Sequence, residues 1–308
     1  MILLCDAGGT HARFALSKDG KTMSEPQKIK IAEFTDFDSI VMHYLASQNI
    51  KASEIVELRL SLGDRNKWGI NENEVRKTLP QAVYKKLNDF EANAQGVART
   101  SNDNFMFLTP AKETSSKGSS KLVVGVGTGL GHAFIIETPE GTYIQRSHGG
   151  HMIPATTSEE QRQIFLDLQK FKKDGTVTIY EDLISGPGLW HMYQLSCEKA
   201  HTHTEYFDTN NMLEKGRNDP LVQQGLKLFH EMLGLYCHQA VLFGFAFAGV
   251  YLTGGIIDRL IGHNLWDQKT FDLGFKQKNV PIVVADFDST PIFWIKDEYI
   301  ALEGLLKL

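Results

Sequence analysis

Residues 6–13, DAGGTHAR, place an acid, two adjacent glycines and a threonine directly after a short apolar run at residues 1–5. Alternating apolar residues resume at residues 12–17, so we expect two short strands joined by a tight glycine turn. A plain hairpin is satisfied by a turn such as Asn-Gly and has no use for the acid or the threonine. The stretch therefore indicates a binding turn, and a plain hairpin stays open as the alternative.

A second stretch has the same design. In KLVVGVGTGLGHAFII, residues 121–136, a glycine-rich turn again joins two apolar strands. Glycine lets the main chain approach a phosphate closely, and consecutive N–H groups then form an anion cradle. We expect both turns to bind one polyanion, with Thr10 donating to a phosphate oxygen. Asp6 would then hold Mg²⁺, through water if the ion keeps most of its hydration shell.

Three common glycine and serine motifs do not fit this sequence. A dinucleotide-binding GxGxxG that starts at Gly125 has Leu130 where the third glycine is required. Neither the P-loop pattern GxxxxGK(S/T) nor the nucleophile elbow GxSxG occurs in the chain. The glycine turns therefore favour a different phosphate-binding architecture, and for the second turn too a plain hairpin remains open.

The segment NDFEANA, residues 88–94, stands where a predicted strand ends and a predicted helix begins. A carboxylate at that point projects from the edge of a sheet, near the positive end of a helix. Asp89 is there as a candidate general base, which accepts the proton of a substrate hydroxyl during phosphoryl transfer. The alternative, that Asn88 or Asp89 simply caps the helix, also remains open.

Composition excludes several classes of protein. A chain of 308 residues, 42% hydrophobic and 22% charged, predicts a globular protein, and its length favours two lobes that share a cleft over one large domain. A net charge of -5 argues against nucleic-acid and anionic-membrane partners, because both need a basic face. Three cysteines, Cys5, Cys197 and Cys237, cannot all pair with one another, so we expect a reducing cytoplasm.

One apolar segment, residues 232–252, is long enough to cross a membrane. It contains His238 and Gln239 and runs into LTGG, which indicates a strand followed by a turn. We therefore predict a buried helix and then a buried strand, with a membrane span as the alternative. No basic segment followed by a long apolar run stands at the N-terminus, so no signal peptide is predicted.

The order of predicted elements, a β-meander followed by alternating helices and strands, indicates an α/β protein with a mixed sheet. Turn-rich residues 109–120 predict an exposed loop. Helices are predicted at about 36–47, 73–79, 158–170, 180–193, the segment from 221, and 296–308, and the last of these has apolar residues at helical spacing.

Six motifs, DAGGTHAR, NDFEANA, GVGTGLG, HGGH, EDLISGPGL and LTGG, occur in the order found in bacterial glucokinases of the hexokinase/actin-like ATPase fold. The chain resembles that family from residue 1 to about residue 256. The resemblance implies a two-lobed, ribonuclease H-like α/β fold with mixed sheets and a cleft. A small lobe would comprise 1–97, completed by a C-terminal helix 296–308, and a large lobe 98–295.

The resemblance also implies an activity, namely ATP-dependent phosphoryl transfer to a hexose hydroxyl, with glucose converted to glucose 6-phosphate. Asp89 would be the catalytic base, and Asp6 would hold Mg²⁺. The implied nucleotide-binding positions are Asp6, Gly8, Gly9, Thr10, Arg13, Gly127, Thr128, Gly129, Gly254 and Gly255. The implied sugar-binding positions, whose side chains suit hydroxyl groups, are Asn88, Asp89, His148, His151 and Glu181. The expected partner is a small sugar, and whether the chain forms a homodimer is left open.

Three departures from the family pattern concern mainly the sugar. His11 replaces the usual asparagine in the first turn, and His148 replaces a glutamate, so two acceptor oxygens become at most one acceptor nitrogen. The stretch near residues 63–68 is also shorter than usual. These departures keep two alternatives open: a sugar- or nucleotide-binding regulator without turnover, and an ATPase acting on a protein or an acid. Zinc binding by His148 and His151 is a weaker alternative, because no ligand set completes it.

Overall fold

The computed structural model of the protein describes residues 1–63, 68–109, 120–172, 175–277 and 281–308. Most of the predicted loop at 109–120, and the core of the shortened stretch near 63–68, lie outside the described residues. The chain divides into two compact units. The first unit contains Met1–Asn104 and Asp297–Leu308, and the second contains Phe105–Lys296.

The first unit is built on a five-stranded mixed sheet with strand order β3-β2-β1-β4-β5. Its strands are β1 Ile2–Ala7, β2 His11–Ser17, β3 Gln27–Lys30, β4 Glu57–Leu62 and β5 Val83–Leu87. The first three strands pair antiparallel, and β1, β4 and β5 pair parallel. Its helices are α1 Phe37–Ser47, α2 Glu72–Thr78, α3 Asp89–Arg99 and, from the end of the chain, α11 Ile300–Leu305.

The central strand β1 is buried on both faces. Leu3 and Cys5 belong to the apolar cluster that includes α1, whereas Leu4, between them, belongs to the cluster that includes α11. This alternation is the period of two that a strand requires. The predicted first hairpin is confirmed, because Ala7 pairs with Ala12 across the glycine turn.

Glycines let α3 and α11 pack in direct backbone contact. A methyl group on Gly96 would lie 2.0 Å from the carbonyl oxygen of Ile300, and one on Gly304 would lie 1.9 Å from that of Ala92. The predicted C-terminal helix at 296–308 is too long, since α11 covers only Ile300–Leu305. Arg59 caps its C-terminal end by donating hydrogen bonds to the main-chain carbonyls of Leu305 and Leu306.

The second unit is built on a six-stranded mixed sheet with strand order β6-β11-β10-β7-β8-β9. Its strands are β6 Met106–Thr109, β7 Ser120–Val126, β8 Leu130–Thr138, β9 Gly141–Ser147, β10 Val250–Thr253 and β11 Ile292–Trp294. Read from β9 to β11, the order and the direction of pairing repeat those of the first sheet. Each glycine turn therefore occupies the same topological position in its own unit, and the expected α/β class with mixed sheets is confirmed.

The helices of the second unit are α4 Glu159–Leu168, α5 Gly186–Lys199, α6 Thr209–Lys215, α7 Pro220–Gly244, α8 Gly255–Gly262, α9 Gln268–Phe275 and α10 Pro281–Ser289. The single helix predicted at 180–193 is wrong at its start. Residues Tyr180–Asp182 form a 3₁₀ turn, and α5 begins only at Gly186. Ser185 caps it by accepting a hydrogen bond from the main chain of Gly188 (3.1 Å), and Pro187 suits its first turn.

The apolar segment at 232–252 is the end of α7, followed by β10, as predicted. His238 is buried in α7, and its Nδ1 lies 2.8 Å from the carbonyl oxygen of Phe275 on α9. The two helices pack closely, since a methyl group on Gly234 would lie 2.1 Å from the carbonyl oxygen of Phe271. In the described ranges, every helix is either too short or too polar to span a bilayer.

Candidate active site

Asp6 stands near the end of β1 and is held by both neighbouring strands. Its Oδ1 accepts a hydrogen bond from Ser61 Oγ on β4 (2.7 Å), and its Oδ2 accepts one from Arg13 Nη1 on β2 (3.1 Å). Ser61 and Arg13 are its direct cross-strand partners in the two ladders. Since the residue is only 8% exposed, the position of its carboxylate is determined by the sheet itself.

Ion pairs continue from Arg13 to the C-terminal segment. Arg13 Nη2 lies 3.5 Å from Glu298 Oε2, and the same oxygen lies 2.5 Å from Lys28 Nζ. Burial raises the pKa of Glu298, but the hydrogen bond from Lys28 and the nearby positive charges outweigh it, so this pKa is lowered. Glu298 therefore remains charged and orients Arg13, the ion-pair partner of Asp6.

His11 ends the first glycine turn. Its pKa is lowered, first by burial and then by the positive charges of Lys28 and Arg13, so its ring is neutral at neutral pH. The turn is tight, because the Gly8 N–H donates to the carbonyl of His11 (3.1 Å). A neutral imidazole adds no charge beside Gly9 and Thr10, which are exposed. A neutral His11 therefore has the same charge as the asparagine that the family pattern has at this position.

Asp6 suits a hydrated magnesium ion. Within the described ranges, no three His, Cys, Asp or Glu side chains form a group that could hold a metal. Mg²⁺ does not require such a group, because it commonly keeps several waters and takes its other ligands from one or two carboxylates and the substrate phosphates. Both oxygens of Asp6 already accept hydrogen bonds, so the residue fits an ion bound through water.

Asn88, and not Asp89, is the N-cap residue of α3. Its Oδ1 accepts a hydrogen bond from the Phe90 N–H (3.0 Å), and Glu91 Oε2 accepts one from the Asn88 N–H (3.0 Å), which completes a capping box. Asp89 is the first helical residue, and its Oδ1 also accepts from the Phe90 N–H (3.0 Å). The sequence left open whether Asn88 or Asp89 caps this helix, and the structure assigns the cap to Asn88.

A glycine makes room for the carboxylate of Asp89. A methyl group on Gly63, directly after β4, would lie 2.6 Å from Asp89 Oδ2. Two residues earlier in the same segment, Ser61 binds Asp6. The end of β4 therefore contacts both candidate acids of the first unit, at the carboxyl edge of its parallel strands, where α/β sheets commonly bind ligands.

The second glycine turn connects β7 to β8 and packs against the start of α5. The Gly127 N–H donates to the carbonyl of Gly129 (2.9 Å), and the Gly186 N–H donates to the carbonyl of Gly127 (2.8 Å). Thr128, at the tip, is exposed. The turn is therefore held from behind by a helix N-terminus while its tip stays accessible.

Leu130 links that turn to the predicted sugar-binding residue Glu181 and to the HGGH turn. Its N–H donates to Glu181 Oε2 (2.9 Å). Its carbonyl oxygen would lie 2.2 Å from a methyl group on Gly150, so the HGGH turn also packs on it. The main chain of one residue thus connects the second glycine turn, Glu181 and the HGGH turn within the second unit.

The HGGH turn exposes both of its histidines. His148 and His151 have parallel rings, with centroids 5.9 Å apart and planes inclined by 12°. The glycines between them are buried, and the His151 N–H donates to the carbonyl of His148 (2.9 Å). Among the described residues no third ligand joins these two imidazoles, so they do not suit zinc, but they can bind hydroxyl groups as either donors or acceptors.

Gly254 precedes α8 in a conformation open mainly to glycine, with φ at +101°. A methyl group there would lie 2.4 Å from the carbonyl oxygen of Val126, at the end of β7. The start of α8 at Gly255 therefore lies beside the glycine turn at 127–129. Both predicted nucleotide-binding segments of the second unit thus meet at one edge of its sheet.

Several residues of these sites were not predicted from the sequence. Ser61 and Gly63 looked like part of a strand and its end, and only the pairing of β1 with β4 shows their contacts. Glu298 lies about 285 residues from its partner Arg13, so no local pattern could indicate it. Gly186 belongs to the quoted motif EDLISGPGL, inside the helix predicted at 180–193, and its hydrogen bond to Gly127 was not predicted.

Known glucokinases match this chain over nearly its whole length. The family model described as Glucokinase matches residues 3–307. Glucokinase of Hahella chejuensis is 28% identical over 98% of this chain and 94% of its own length. Glucokinase of Photorhabdus laumondii is 27% identical over 90% of this chain and 87% of its own length.

Solved structures share the fold. Glucokinase from an Antarctic psychrotroph has a TM-score of 0.76 at 23% identity, covering 99% of this chain and 97% of its own. The glucose complex of Balamuthia mandrillaris glucokinase has a TM-score of 0.78 at 21% identity, covering 99% of this chain and 92% of its own. A ROK family glucokinase from Streptomyces griseus, solved with glucose and AMPPNP, has a TM-score of 0.62 at 13% identity, covering 99% and 98%.

Proposed function

The chain belongs to the glucokinase family, and from that premise we propose that it transfers the γ-phosphoryl group of ATP to glucose, forming ADP and glucose 6-phosphate. The observation that carries the proposal is the placement of Asp89, at the start of α3 against a glycine that leaves space for its carboxylate. The match to the glucokinase family over residues 3–307 supports ATP and glucose as the substrates. The regulator without turnover has no comparable observation in its favour.

In the proposed reaction Asp89 accepts the proton of the reacting glucose hydroxyl. The hydroxyl oxygen bonds to the γ-phosphorus, while the bond between that phosphorus and the β,γ-bridging oxygen breaks and ADP leaves. Mg²⁺ supplies positive charge that offsets the negative charge developing on the phosphates. Asp6 would hold the hydrated ion, and Arg13 keeps Asp6 in place.

The remaining positions divide between nucleotide and sugar. For ATP we propose main-chain donors of the two glycine turns, the hydroxyl groups of Thr10 and Thr128, and the start of α8. These residues are Gly8, Gly9, Thr10, Gly127, Thr128, Gly129, Gly254 and Gly255. For glucose we propose Asn88, His148, His151 and Glu181, with Asp89 on the reacting hydroxyl.

The free, buried cysteines support a reducing cytoplasm as the compartment.

An assay of ADP release across glucose, mannose, fructose and glucosamine tests the substrate. We expect the highest kcat/KM with glucose, because the family match spans both the phosphate and the sugar motifs. His148 has fewer acceptor atoms than a glutamate, so we also expect weaker discrimination among the sugars than a carboxylate would provide. ATP hydrolysis that no sugar stimulates would contradict the proposal.

Asp6→Asn tests the magnesium assignment. Asparagine keeps an acceptor oxygen toward Ser61 but removes the charge that attracts the hydrated ion. We expect the Mg²⁺ concentration for half-maximal rate to rise about 10-fold to 100-fold. Titration of the rate with Mg²⁺ at fixed ATP measures the change, and Asp38→Asn, at an exposed position of α1, is the matched control. The assignment fails if both variants keep the Mg²⁺ dependence of the unmodified protein.

A further inference from the structure

A buried polar pair lies beneath the HGGH turn. His132 Nδ1, on β8, lies 2.5 Å from Tyr236 Oη, on α7, and both residues are less than 5% exposed. Burial lowers the pKa of His132 to about 4, so the ring is neutral at neutral pH. One proton is therefore shared between a neutral imidazole and a phenol, in a hydrogen bond that solvent cannot replace.

The main chain of the turn rests directly on this pair. A methyl group on Gly149 would lie 2.3 Å from His132 Cε1 and 3.2 Å from Tyr236 Oη. The Gly149 N–H donates to Ser147 Oγ (3.0 Å), and Ser147 is the cross-strand partner of His132. The position of Gly149 is thus determined from below by the two rings and from the side by β9.

Neighbouring aromatic residues hold the phenol in place. The ring of Tyr180 meets that of Tyr236 edge-on, with centroids 5.0 Å apart, and Tyr180 Oη donates to Gln239 Oε1 (2.8 Å). Two apolar side chains would fill the same volume without directional preference. A hydrogen-bonded pair fixes the orientation of both rings. Because the HGGH turn rests on these rings, the pair also fixes the distance between that turn and the sheet.

We propose that His132 and Tyr236 are positioning residues that set the geometry of His148 and His151, and so determine sugar affinity without touching the sugar. The inference rests on the proposed function, which assigns sugar binding to these two exposed histidines. Gly149 is the connection, since it is next to His148 in the chain and starts the 3₁₀ turn that ends at His151.

Tyr236→Phe removes the phenolic oxygen and leaves the ring. We expect the KM for glucose to rise about 5-fold to 10-fold, which corresponds to the loss of one buried hydrogen bond. The kcat and the KM for ATP should change less than 2-fold, because the turn at residues 127–129 is held by the hydrogen bond from Gly186 at the start of α5. Tyr193→Phe is the matched control: that tyrosine is equally buried, and its Oη accepts a hydrogen bond from the Glu205 N–H (3.0 Å).

A double variant separates positioning from stability. Replacing both partners with apolar groups leaves no unpaired polar atom, so His132→Leu with Tyr236→Phe should recover most of the Tm lost in Tyr236→Phe. Its KM for glucose should stay raised, because the directional contact is still missing. A KM that returns to the wild-type value together with the Tm would overturn the inference.

The second readout does not depend on turnover. In protein labelled with ¹⁵N-histidine, the imidazole resonances of His148 and His151 should shift in Tyr236→Phe and stay in place in Tyr193→Phe. Unchanged resonances, together with an unchanged KM for glucose in an active enzyme, would overturn this inference alone. A wild-type protein that phosphorylates no sugar would instead overturn the proposed function, and with it the sugar-binding part of the inference.

Discussion

Asp89→Asn is expected to lower kcat about 10³-fold, while the dissociation constant of glucose stays within a few-fold of wild type. Asparagine has nearly the same shape, so the helix start and the cap by Asn88 are kept. Its amide cannot accept the proton of the reacting hydroxyl, and proton transfer of this kind contributes about 10² to 10⁴ in rate. Steady-state kinetics gives kcat, and calorimetry gives the affinity for glucose.

Two further variants make this test specific. Asp103→Asn makes the same change of charge at an exposed position of the first unit and should keep the wild-type rate. Gly63→Ala keeps Asp89 but places a methyl group 2.6 Å from its Oδ2, so the carboxylate must shift and kcat should fall although the base is present. If Asp89→Asn retains more than a tenth of the wild-type kcat, Asp89 is not the base.

Gly254→Ala is expected to destabilise the protein by about 3 kcal/mol and to raise the KM for ATP. Alanine at a φ of +101° is strained, and its methyl group would overlap the carbonyl of Val126. Relief of that overlap must displace either the start of α8 or the end of β7, both of which are next to proposed nucleotide-binding residues. A thermal melt should show Tm lowered by roughly 6–12 °C.

The same helix offers a control for this substitution. Gly262 ends α8, and a methyl group there would meet no atom within 4 Å. Gly262→Ala should therefore leave the KM for ATP unchanged and alter stability by less than about 1 kcal/mol. A Gly254→Ala protein with the Tm and the ATP kinetics of Gly262→Ala would show that the turn tolerates a side chain and does not position the nucleotide.

The local parts of this fold could be predicted from the sequence. The two glycine hairpins, the helix start at residue 88 and the buried helix before LTGG each depend on neighbours within about ten positions. Turn chemistry, capping and hydrophobic period are local effects, so they are visible in the sequence. The same patterns, with the resemblance to a family, selected Asp6 and Asp89, which the structure places on either side of β4.

The contacts that hold these groups are not local. Ser61 is connected to Asp6 only by the parallel pairing of β4 with β1, and Glu298 reaches Arg13 from the far end of the chain. The helix predicted at 180–193 is wrong at its start, because a 3₁₀ turn and a helix share similar apolar spacing over one turn. His132 and Tyr236, about 100 residues apart, become a pair only once β8 packs on α7.

The topological repeat explains why the chain has two glycine turns. In each unit the turn follows the first strand of an antiparallel hairpin at the centre of a sheet of the same order. The repeat has no detectable period in the sequence, because it is conserved in strand order and not in residue types. Glycine and threonine recur in both turns, as Gly8, Gly9 and Thr10 in the first and as Gly127, Thr128 and Gly129 in the second.

The most direct test of the account is the product formed from glucose and MgATP. Purified protein should convert the two substrates to glucose 6-phosphate and ADP in equal amounts, with glucose 6-phosphate measured by a coupled dehydrogenase and ADP by chromatography. Equal amounts that disappear together in Asp89→Asn are the predicted result. ADP formed without glucose 6-phosphate, or neither product at saturating glucose, would contradict the account.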